Sequence, residues 1–414
     1  MIPHANPIRS YRRYWLPELI VLIALAAGTT ILFAVTNLDV ETIRPYYRPG
    51  LENPWPLSKE PLWSLFYRSA PWVTASLAVA GTLLLVFGLT KSDSRQFRIY
   101  GLFMLLCVAI GPGLIINVVL KDHWGRPRPR QIEEFGGRLT YTQPLVPSNR
   151  YGKSFPCGHC SVGYLYGVGW WLWRRKHPGR AVASLAAGLT LGTLLGIGRM
   201  TAGAHFLSDA FWSALIAFFI AHLLYYYVLR IPAREDGLPS LYPQIETRPR
   251  LKRSLIAAAV LLGLGIVGGG MLASPTDADL TRSIDLTAYP VRPGAVEIRA
   301  KALDLELALV DQPVREIAVS GWAHGFGLWT NKIRSSWDVE PGQVPTFHFR
   351  VIEHGLFTDI DGNARIAIPV SGMKRITVRL GRGDIVVRDE RGASKREALP
   401  ALDLATGDGE IQRP

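Results

Sequence analysis

Long apolar runs alternate with short polar segments over the first two thirds of the chain. A stretch of about 20 apolar residues is long enough to cross a bilayer as an α-helix. Seven runs approach that length, of which the fourth and fifth need flanking residues to complete them: Leu19–Asn37, Trp72–Thr90, Gly101–Leu120, Cys160–Trp173, Ala181–Ile197, Leu207–Leu229 and Leu255–Ala273. The pattern predicts an all-α polytopic membrane bundle that includes a seventh transmembrane helix.

From residue 274 onward, apolar and polar residues alternate with the period of two that is typical of β-strands. The clearest such segments are 296–310, 346–352, 364–370 and 374–389. The sequences Asp361-Gly362 and Gly381-Arg382-Gly383 are typical of turns. We therefore expect a membrane domain at 1–253, the seventh transmembrane helix at 254–273 and a small all-β domain at 274–414.

Positive charge is concentrated in the membrane part. Residues 1–273 hold 28 Lys+Arg and 13 Asp+Glu, whereas residues 274–414 hold 18 and 20. Basic residues recur at the N-terminus and in every second loop, at 91–98, 174–180 and 230–253, which places these segments in the cytoplasm. The remaining loops and the β domain then face outward. This layout predicts a multi-pass membrane protein whose β domain faces outward.

One outward segment departs from this charge rule, because 121–159 carries seven Lys+Arg. It begins with KDHWGRPRPR, in which Lys121 and Arg128 are seven residues apart and prolines stiffen the chain. Taken alone, such a patch is typical of a contact with lipid headgroups.

The same segment ends with SFPCGHCS at 154–161. Pro156 and Gly158 predict a turn whose backbone N–H groups can approach an anion, just before a helix N-terminus and His159. The two cysteines, Cys157 and Cys160, permit a second interpretation as a thiol-disulfide exchanger. That interpretation is the weaker one, because the βαβ context of such proteins is missing. A disulfide between the two cysteines is compatible with an oxidising periplasm.

A third cluster, GRMTAGAHFLSD at 198–209, precedes the sixth run. His205 and Asp209 are four residues apart and share one helical face. A carboxylate there can hold the Nδ1 proton of the histidine and leave Nε2 for chemistry. Without the other clusters, this pair is equally typical of an ordinary helix.

Together the three clusters predict one site on the outer face. Lys121, Arg128 and Arg199 supply three fixed cations, a set suited to a phosphoryl group. Two histidines and an orienting carboxylate suit nucleophilic attack with general-acid assistance. One carboxylate beside three cations does not form a metal site. We therefore expect no metal, no other cofactor and no nucleic-acid partner.

The patterns Lys121-x6-Arg128-Pro129, Pro156-x-Gly158-His159 and Arg199-x5-His205-x3-Asp209 resemble the type 2 phosphatidic acid phosphatase (PAP2) superfamily over roughly residues 70–230. The resemblance implies a six-helix membrane bundle and metal-independent removal of phosphate from lipid phosphates or diphosphates. It implies that His205 forms a phosphohistidine, that Asp209 orients it and that His159 protonates the leaving oxygen. The implied phosphate-binding residues are Lys121, Arg128, Arg199, Cys157 and Gly158. The family usually has serine at the positions of Cys157 and Gly198.

The seventh helix and the outward β domain go beyond this six-helix core and suggest a multi-pass protein of a bacterial inner (cell) membrane, with its site and β domain in the periplasm. The sequence thus predicts a lipid phosphate phosphatase of the periplasmic face. A phosphotransferase that passes the same phosphohistidine to an acceptor lipid is the alternative among enzymes. A third hypothesis is a scaffold protein that acts through its β domain. The expected partners are the membrane, a phosphorylated membrane lipid and an envelope component that contacts the β domain.

Overall fold

The computed structural model describes residues 7–51, 53–91, 94, 96–148, 152–236, 248–286, 294–311, 316–340, 344–391 and 399–413. The chain divides into two compact units, Met1–Met271 and Leu272–Pro414. The helices of the first unit are α1 (Pro7–Val35), α2 (Leu38–Ile43), α3 (Pro61–Thr90), α4 (Gln96–Val108), α5 (Lys121–His123), α6 (Gly158–Tyr164), α7 (Gly169–Trp173), α8 (Pro178–Met200), α9 (Leu207–Leu223), α10 (Ile231–Glu235) and α11 (Pro249–Met271). A π-helical segment, Ala109–Leu120, joins α4 to α5, and another, Leu224–Val228, extends α9.

Six helices in the described part of the chain are long and apolar enough to cross a membrane. They cover Tyr14–Val35, Pro61–Thr90, Gln96–His123, Pro178–Met200, Leu207–Val228 and Pro249–Met271. Each coincides with one of the predicted apolar runs. Large apolar side chains such as Leu83 and Leu261 remain about two-thirds exposed on these helices, as expected where a helix meets lipid. The predicted helical membrane bundle is confirmed.

The predicted run Cys160–Trp173 is helical but shorter than a span. It consists of α6, a 3-10 segment at Leu165–Val168 and α7, which together cover 16 residues. At 1.5 Å per residue that is roughly 24 Å, less than the ~30 Å hydrocarbon core of a bilayer. Most of its side chains are buried against the other helices. The expected count of seven spans is therefore not confirmed.

Helices α6 and α8 run antiparallel with their backbones in contact. A Cβ atom added to Gly163 would lie 2.7 Å from the Gly192 Cα, and one added to Gly192 would lie 2.3 Å from the Tyr164 ring. Further along, a Cβ atom on Gly188 would lie 2.3 Å from the Gly167 nitrogen. Only glycine fits this interface, which brings the first residue of α6 close to the end of α8.

The N-terminal segment packs against the basic loop that follows α5. Their shared core consists of Val40, Ile43, Trp55, Ile132, Phe135, Met200 and Phe206. The rings of Tyr47, Trp55 and Phe135 lie 5.4–5.8 Å apart between centroids. The apolar packing folds this loop onto the helices and places α2 beside the start of α9.

The second unit contains two sheets packed face to face. The strands are β1 (Ser274–Asp279), β2 (Arg282–Asp285), β3 (Ala295–Ala302), β4 (Asp304–Val310), β5 (Glu316–Gly327), β6 (Lys332–Glu340), β7 (Thr346–His354), β8 (Phe357–Pro369), β9 (Arg375–Arg382), β10 (Ile385–Asp389), β11 (Ala401–Thr406) and β12 (Ile411–Gln412). One sheet has the order β1-β5-β8-β4-β10-β12 with β2 on β5, and the other has the order β11-β9-β3-β7-β6. Ile298 from one sheet and Leu307 from the other share one core.

All four predicted strand segments are strands, and the all-β character of this region is confirmed. The turn predicted at Asp361-Gly362 is wrong, because both residues lie inside β8, where Gly362 pairs with Ala323 of β5. A Cβ atom on Gly362 would lie 2.9 Å from the Trp322 carbonyl oxygen, so this glycine serves close packing. Of the turn predicted at Gly381-Arg382-Gly383, the first two residues belong to β9, and the bend lies at Gly383, which has φ +119°. The domain boundary at residue 253 stays a prediction.

Candidate active site

The three sequence clusters meet around His205. This residue lies in the short connection between α8 and α9, while Arg199 lies near the end of α8 and His159 is the second residue of α6. His159, His205, Arg128 and Arg199 are all at least nine-tenths buried, and Lys121 is half-buried. The helix ends thus bring together residues that are up to 84 positions apart in the sequence.

The orientation of the His205 ring is set by two groups. Its Nδ1 atom lies 2.6 Å from the Ser154 carbonyl oxygen and 3.5 Å from Asp209 Oδ2. A carbonyl oxygen can only accept, so Nδ1 carries the proton and Nε2 is the unprotonated nitrogen. The resemblance assigns the orienting role to Asp209, but the nearer acceptor in the structure is the Ser154 carbonyl.

Asp209 accepts three other hydrogen bonds. Its Oδ2 atom accepts from the Ser154 hydroxyl at 2.6 Å and from the Phe206 N–H at 2.8 Å. Its Oδ1 atom accepts from the Arg126 guanidinium at 2.5 Å. Asp209 therefore holds together the segment that supplies the Ser154 carbonyl and the segment that carries His205.

The electrostatic surroundings keep His205 neutral. Burial, followed by the positive charges of Arg199, Lys121 and Arg128, holds the pKa of His205 well below its ordinary value. A neutral imidazole with an unprotonated Nε2 is a competent nucleophile at physiological pH. Each of the three predicted cations therefore lies near enough to His205 to act on its charge. Cations that repel one another in a buried site are stabilised when an anion binds between them.

Tyr67 of α3 connects Arg199 with His159. The Arg199 guanidinium carbon lies 4.6 Å from the centroid of the Tyr67 ring, within range of a cation–π interaction. The Tyr67 and His159 rings are 6.1 Å apart between centroids. Tyr67 lies just before the predicted run Trp72–Thr90, and no motif marked it in the sequence.

Cys157 and Cys160 form a disulfide, and both are fully buried. Cys157 precedes α6, and its sulfur accepts the Cys160 N–H at 3.3 Å. Its own N–H lies 3.4 Å from the Asp209 carbonyl oxygen. The phosphate contact of Cys157 stays a prediction; in the structure its sulfur and its N–H both have partners in the protein. Thiol exchange needs access to a sulfur, which the burial of both disfavours.

Gly158, the first residue of α6, lies against the Asn117 side chain, which would have to move if a larger residue replaced the glycine. A Cβ atom there would lie 2.6 Å from Asn117 Oδ1 on the π-helical segment that joins α4 to α5. Its role in phosphate binding stays a prediction. Among the described residues, no three His, Cys, Asp or Glu side chains lie close enough together to hold a metal ion.

Comparison with known proteins gives a family for the segment that carries this site. Residues 100–232 match the PAP2 superfamily. This segment is a PAP2 superfamily domain.

Three curated relatives are each named lipid A 4′-phosphatase. The protein from Francisella tularensis subsp. novicida is 40% identical over 126 residues, which are 30% of this chain and 55% of the relative. The protein from Rhizobium leguminosarum is 39% identical over 28% of this chain and 49% of its own length. The protein from Rhizobium etli is 34% identical over 38% of this chain and 62% of its own length. The chain thus spans about half to three fifths of the length of these relatives.

Two buried polar residues of the site were not predicted. Arg126 lies inside the PAP2 domain, two positions before Arg128, and the run of basic residues at 126–130 was its only signal. Asp39 of α2 lies outside the PAP2 domain and belongs to none of the motifs. Both are buried next to Asp209 and the start of α9.

Proposed function

We propose that the protein is a membrane lipid phosphatase of the PAP2 type. It hydrolyses a phosphomonoester or diphosphate of a membrane lipid at the periplasmic face, through a phosphohistidine on His205. The observation that carries this proposal is the neutral His205 ring, fixed through Nδ1, with Lys121, Arg128 and Arg199 around it.

In the first step, the Nε2 lone pair of His205 attacks the phosphorus atom, and the bond between phosphorus and the lipid oxygen breaks. His159 donates a proton to that oxygen, which leaves as the hydroxyl group of the lipid or, when the substrate is a diphosphate, of the lipid monophosphate. Lys121, Arg128 and Arg199 bind the phosphoryl oxygens, whose charge is spread further in the transition state. The Nδ1–H···O=C bond to Ser154 steadies the ring as it becomes positively charged.

In the second step, His159 takes a proton from water, and the water oxygen attacks the phosphohistidine. The P–N bond breaks, inorganic phosphate leaves and His205 returns to its neutral form. The proton that His159 gave to the lipid is thus recovered from water, and the cycle needs no further reactant.

The relatives favour a phosphorylated glycolipid as the first substrate to test. Since all three are named lipid A 4′-phosphatase, we propose that lipid A phosphate is accepted. Phosphatidic acid, phosphatidylglycerol phosphate and undecaprenyl diphosphate form the comparison panel. The basic loops support cytoplasmic placement of 91–98, 174–180 and 230–253, and hence a periplasmic site and β domain in the inner membrane.

The test is phosphate release by purified full-length protein and by the variant His205→Asn. Asparagine cannot form a stable phosphoryl intermediate, so release should fall to background while the protein stays folded. His177→Asn is the matched control, because His177 is exposed at the other end of α8. A His205→Asn variant that keeps more than about a tenth of the activity would exclude the proposed nucleophile.

Two further measurements separate the alternatives. Substrate with labelled phosphate yields free phosphate from a hydrolase and a labelled acceptor lipid from a phosphotransferase. Chelator is expected to leave the rate unchanged, and strong inhibition would show a metal requirement. If the His205→Asn variant still supports the cellular function that is lost when the protein is deleted, the scaffold hypothesis is favoured instead.

A further inference from the structure

We infer that Asp39 is a positioning residue for the phosphoryl transfer: through Arg126 and Ser208 it fixes the start of α9 and thereby the nucleophile His205. The inference rests on the proposed function. It extends the catalytic unit to α2, which lies outside the matched residues 100–232.

Arg126 is enclosed between two carboxylates. One terminal nitrogen, Nη1, donates to Asp209 Oδ1 at 2.5 Å and to Ser208 Oγ at 2.8 Å. The other, Nη2, donates to Asp39 Oδ2 at 2.8 Å, and Nε donates to the Thr142 carbonyl oxygen at 2.9 Å. The side chain is fully buried. Because all three nitrogens donate to protein atoms, this guanidinium organises the protein and does not serve as a phosphate ligand.

The charge of Arg126 is permanent. Burial acts to lower its pKa, but the carboxylates of Asp209 and Asp39 outweigh that effect and raise the pKa above the ordinary value. One fixed cation thus faces two buried carboxylates. Removing either carboxylate changes how strongly the cation holds the other.

Asp39 is surrounded by donors. Its Oδ1 atom accepts the Ser208 N–H at 2.8 Å, and its Oδ2 atom accepts the Ser208 hydroxyl at 2.6 Å and the Tyr141 hydroxyl at 2.9 Å. Arg126 is the fourth donor. A buried carboxylate is stable only with such pairing. Since Ser208 is the second residue of α9, these bonds join α2 to the start of α9.

Two carboxylates thereby satisfy backbone amides at the start of α9, where a helix cannot satisfy them itself. Asp209 accepts the Phe206 N–H, and Asp39 accepts the Ser208 N–H. The Arg126 guanidinium carbon also lies 4.6 Å from the Phe206 ring centroid. His205 immediately precedes Phe206, so this network fixes the backbone that carries the nucleophile. A displacement of about 1 Å at a reacting group can reduce the rate about 100-fold.

Asp39→Asn tests the inference with little change of shape. In either orientation of the new amide, its NH2 group faces hydrogen-bond donors: the Ser208 N–H on one side, or Arg126 and the Ser208 and Tyr141 hydroxyls on the other. We expect kcat to fall about 10- to 100-fold, with KM changed by less than about twofold because Asp39 acts through the nucleophile. Glu41→Gln is the matched control, since Glu41 lies on the same helix in an exposed pair with Arg44. It should leave both constants unchanged.

A double-mutant cycle with Arg126→Gln distinguishes positioning from general destabilisation. Arg126→Gln leaves Asp39 and Asp209 as two buried carboxylates without their cation. Asp39→Asn in the same chain removes one of them, so the double variant should lose less activity than the product of the two single losses. All variants are compared as full-length protein in one detergent, with folding checked by size exclusion. If Asp39→Asn does not fold, Tyr141→Phe removes one donor to Asp39 and should lower kcat about fivefold.

The outcomes separate this inference from the proposed function. If wild-type protein releases no phosphate from any lipid in the panel, the proposed function fails and the inference with it. If wild-type protein is active, three results overturn the inference alone: unchanged kcat in Asp39→Asn, or in Tyr141→Phe where that variant is needed; a loss confined to KM; or multiplicative losses in the cycle.

Discussion

Ser154 contacts the site through its backbone carbonyl and through its hydroxyl, and a single substitution can remove the hydroxyl alone. Its backbone carbonyl oxygen accepts from His205 Nδ1, and its hydroxyl donates to Asp209 Oδ2 at 2.6 Å. Ser154→Ala deletes the hydroxyl and keeps the carbonyl. The variant therefore tests whether His205 depends directly on the Ser154 carbonyl or on the full set of bonds to Asp209.

The magnitude follows from the burial and charge of the partner. Ser154 and Asp209 are fully buried, and a hydrogen bond to a charged group contributes about 1.5–3 kcal/mol. The free energy of unfolding should fall by that amount. Asp209 keeps its bonds to Arg126 and to the Phe206 N–H, and His205 keeps its nearest acceptor. We therefore expect kcat/KM to fall by less than about tenfold, roughly 1.4 kcal/mol of transition-state stabilisation.

The assay pairs denaturation in detergent with initial rates of phosphate release. Ser161→Ala is the control, because its buried hydroxyl donates at 2.7 Å to the neutral Gly158 carbonyl. That variant should lose about 0.5–1.5 kcal/mol of stability. If Ser154→Ala folds but loses more than about 100-fold in kcat/KM, the carbonyl alone does not orient His205. Unchanged stability would contradict the hydrogen bond itself.

Three further predictions follow from the site and the fold. His159→Ala should slow hydrolysis of a natural lipid phosphate more than that of p-nitrophenyl phosphate, whose leaving group needs little protonation; equal losses would argue against the acid role. The proposed nucleophile is active only while the His205 ring is neutral, and the pKa of that ring is lowered. As the pH falls, kcat/KM should therefore decline only below pH 6.5. A decline centred at or above pH 6.5 would contradict that assignment. Removal of residues 272–414, a compact unit of its own, should leave hydrolysis of a short-chain lipid phosphate largely intact; a truncated protein that inserts normally but is inactive would make the β domain part of the catalytic machinery.

The sequence predicts the fold where apolar and polar residues repeat with a fixed period. It predicts the site where charged and nucleophilic residues form short motifs. Helices such as α3 and α11 follow from apolar runs, and strands such as β3 and β9 follow from alternation. Lys121, Arg128, Arg199 and His205 were predicted to share one site because their motifs lie at helix ends on the same predicted side of the membrane; their catalytic roles stay predictions.

The rest of the fold and of the site depends on contacts between segments that are distant in the sequence. Arg126 and Asp39 are 87 residues apart, and no local pattern relates a lone aspartate on a short helix to a basic loop. The orienting role of the Ser154 carbonyl was not predicted because backbone acceptors leave no mark in the sequence. Gly362 was assigned to a turn because composition alone does not distinguish a glycine that bends the chain from one that permits close strand packing.

The glycine contact between α6 and α8 limits how this site can adapt to other substrates. At Gly163 and Gly188 the nearest atoms are backbone atoms of the facing segment, and these close contacts set the spacing between the start of α6 and the end of α8, and with it the spacing of His159 and Arg199. A larger residue at Gly163, Gly188 or Gly192 would push the helices apart instead of widening a pocket between them. The distance between the proposed acid and this proposed phosphate ligand is thus fixed by the helix packing. Under the proposed function, variation in the size of the lipid headgroup has to be accommodated by the walls outside this helix pair, which makes those walls the rational place to search for altered specificity.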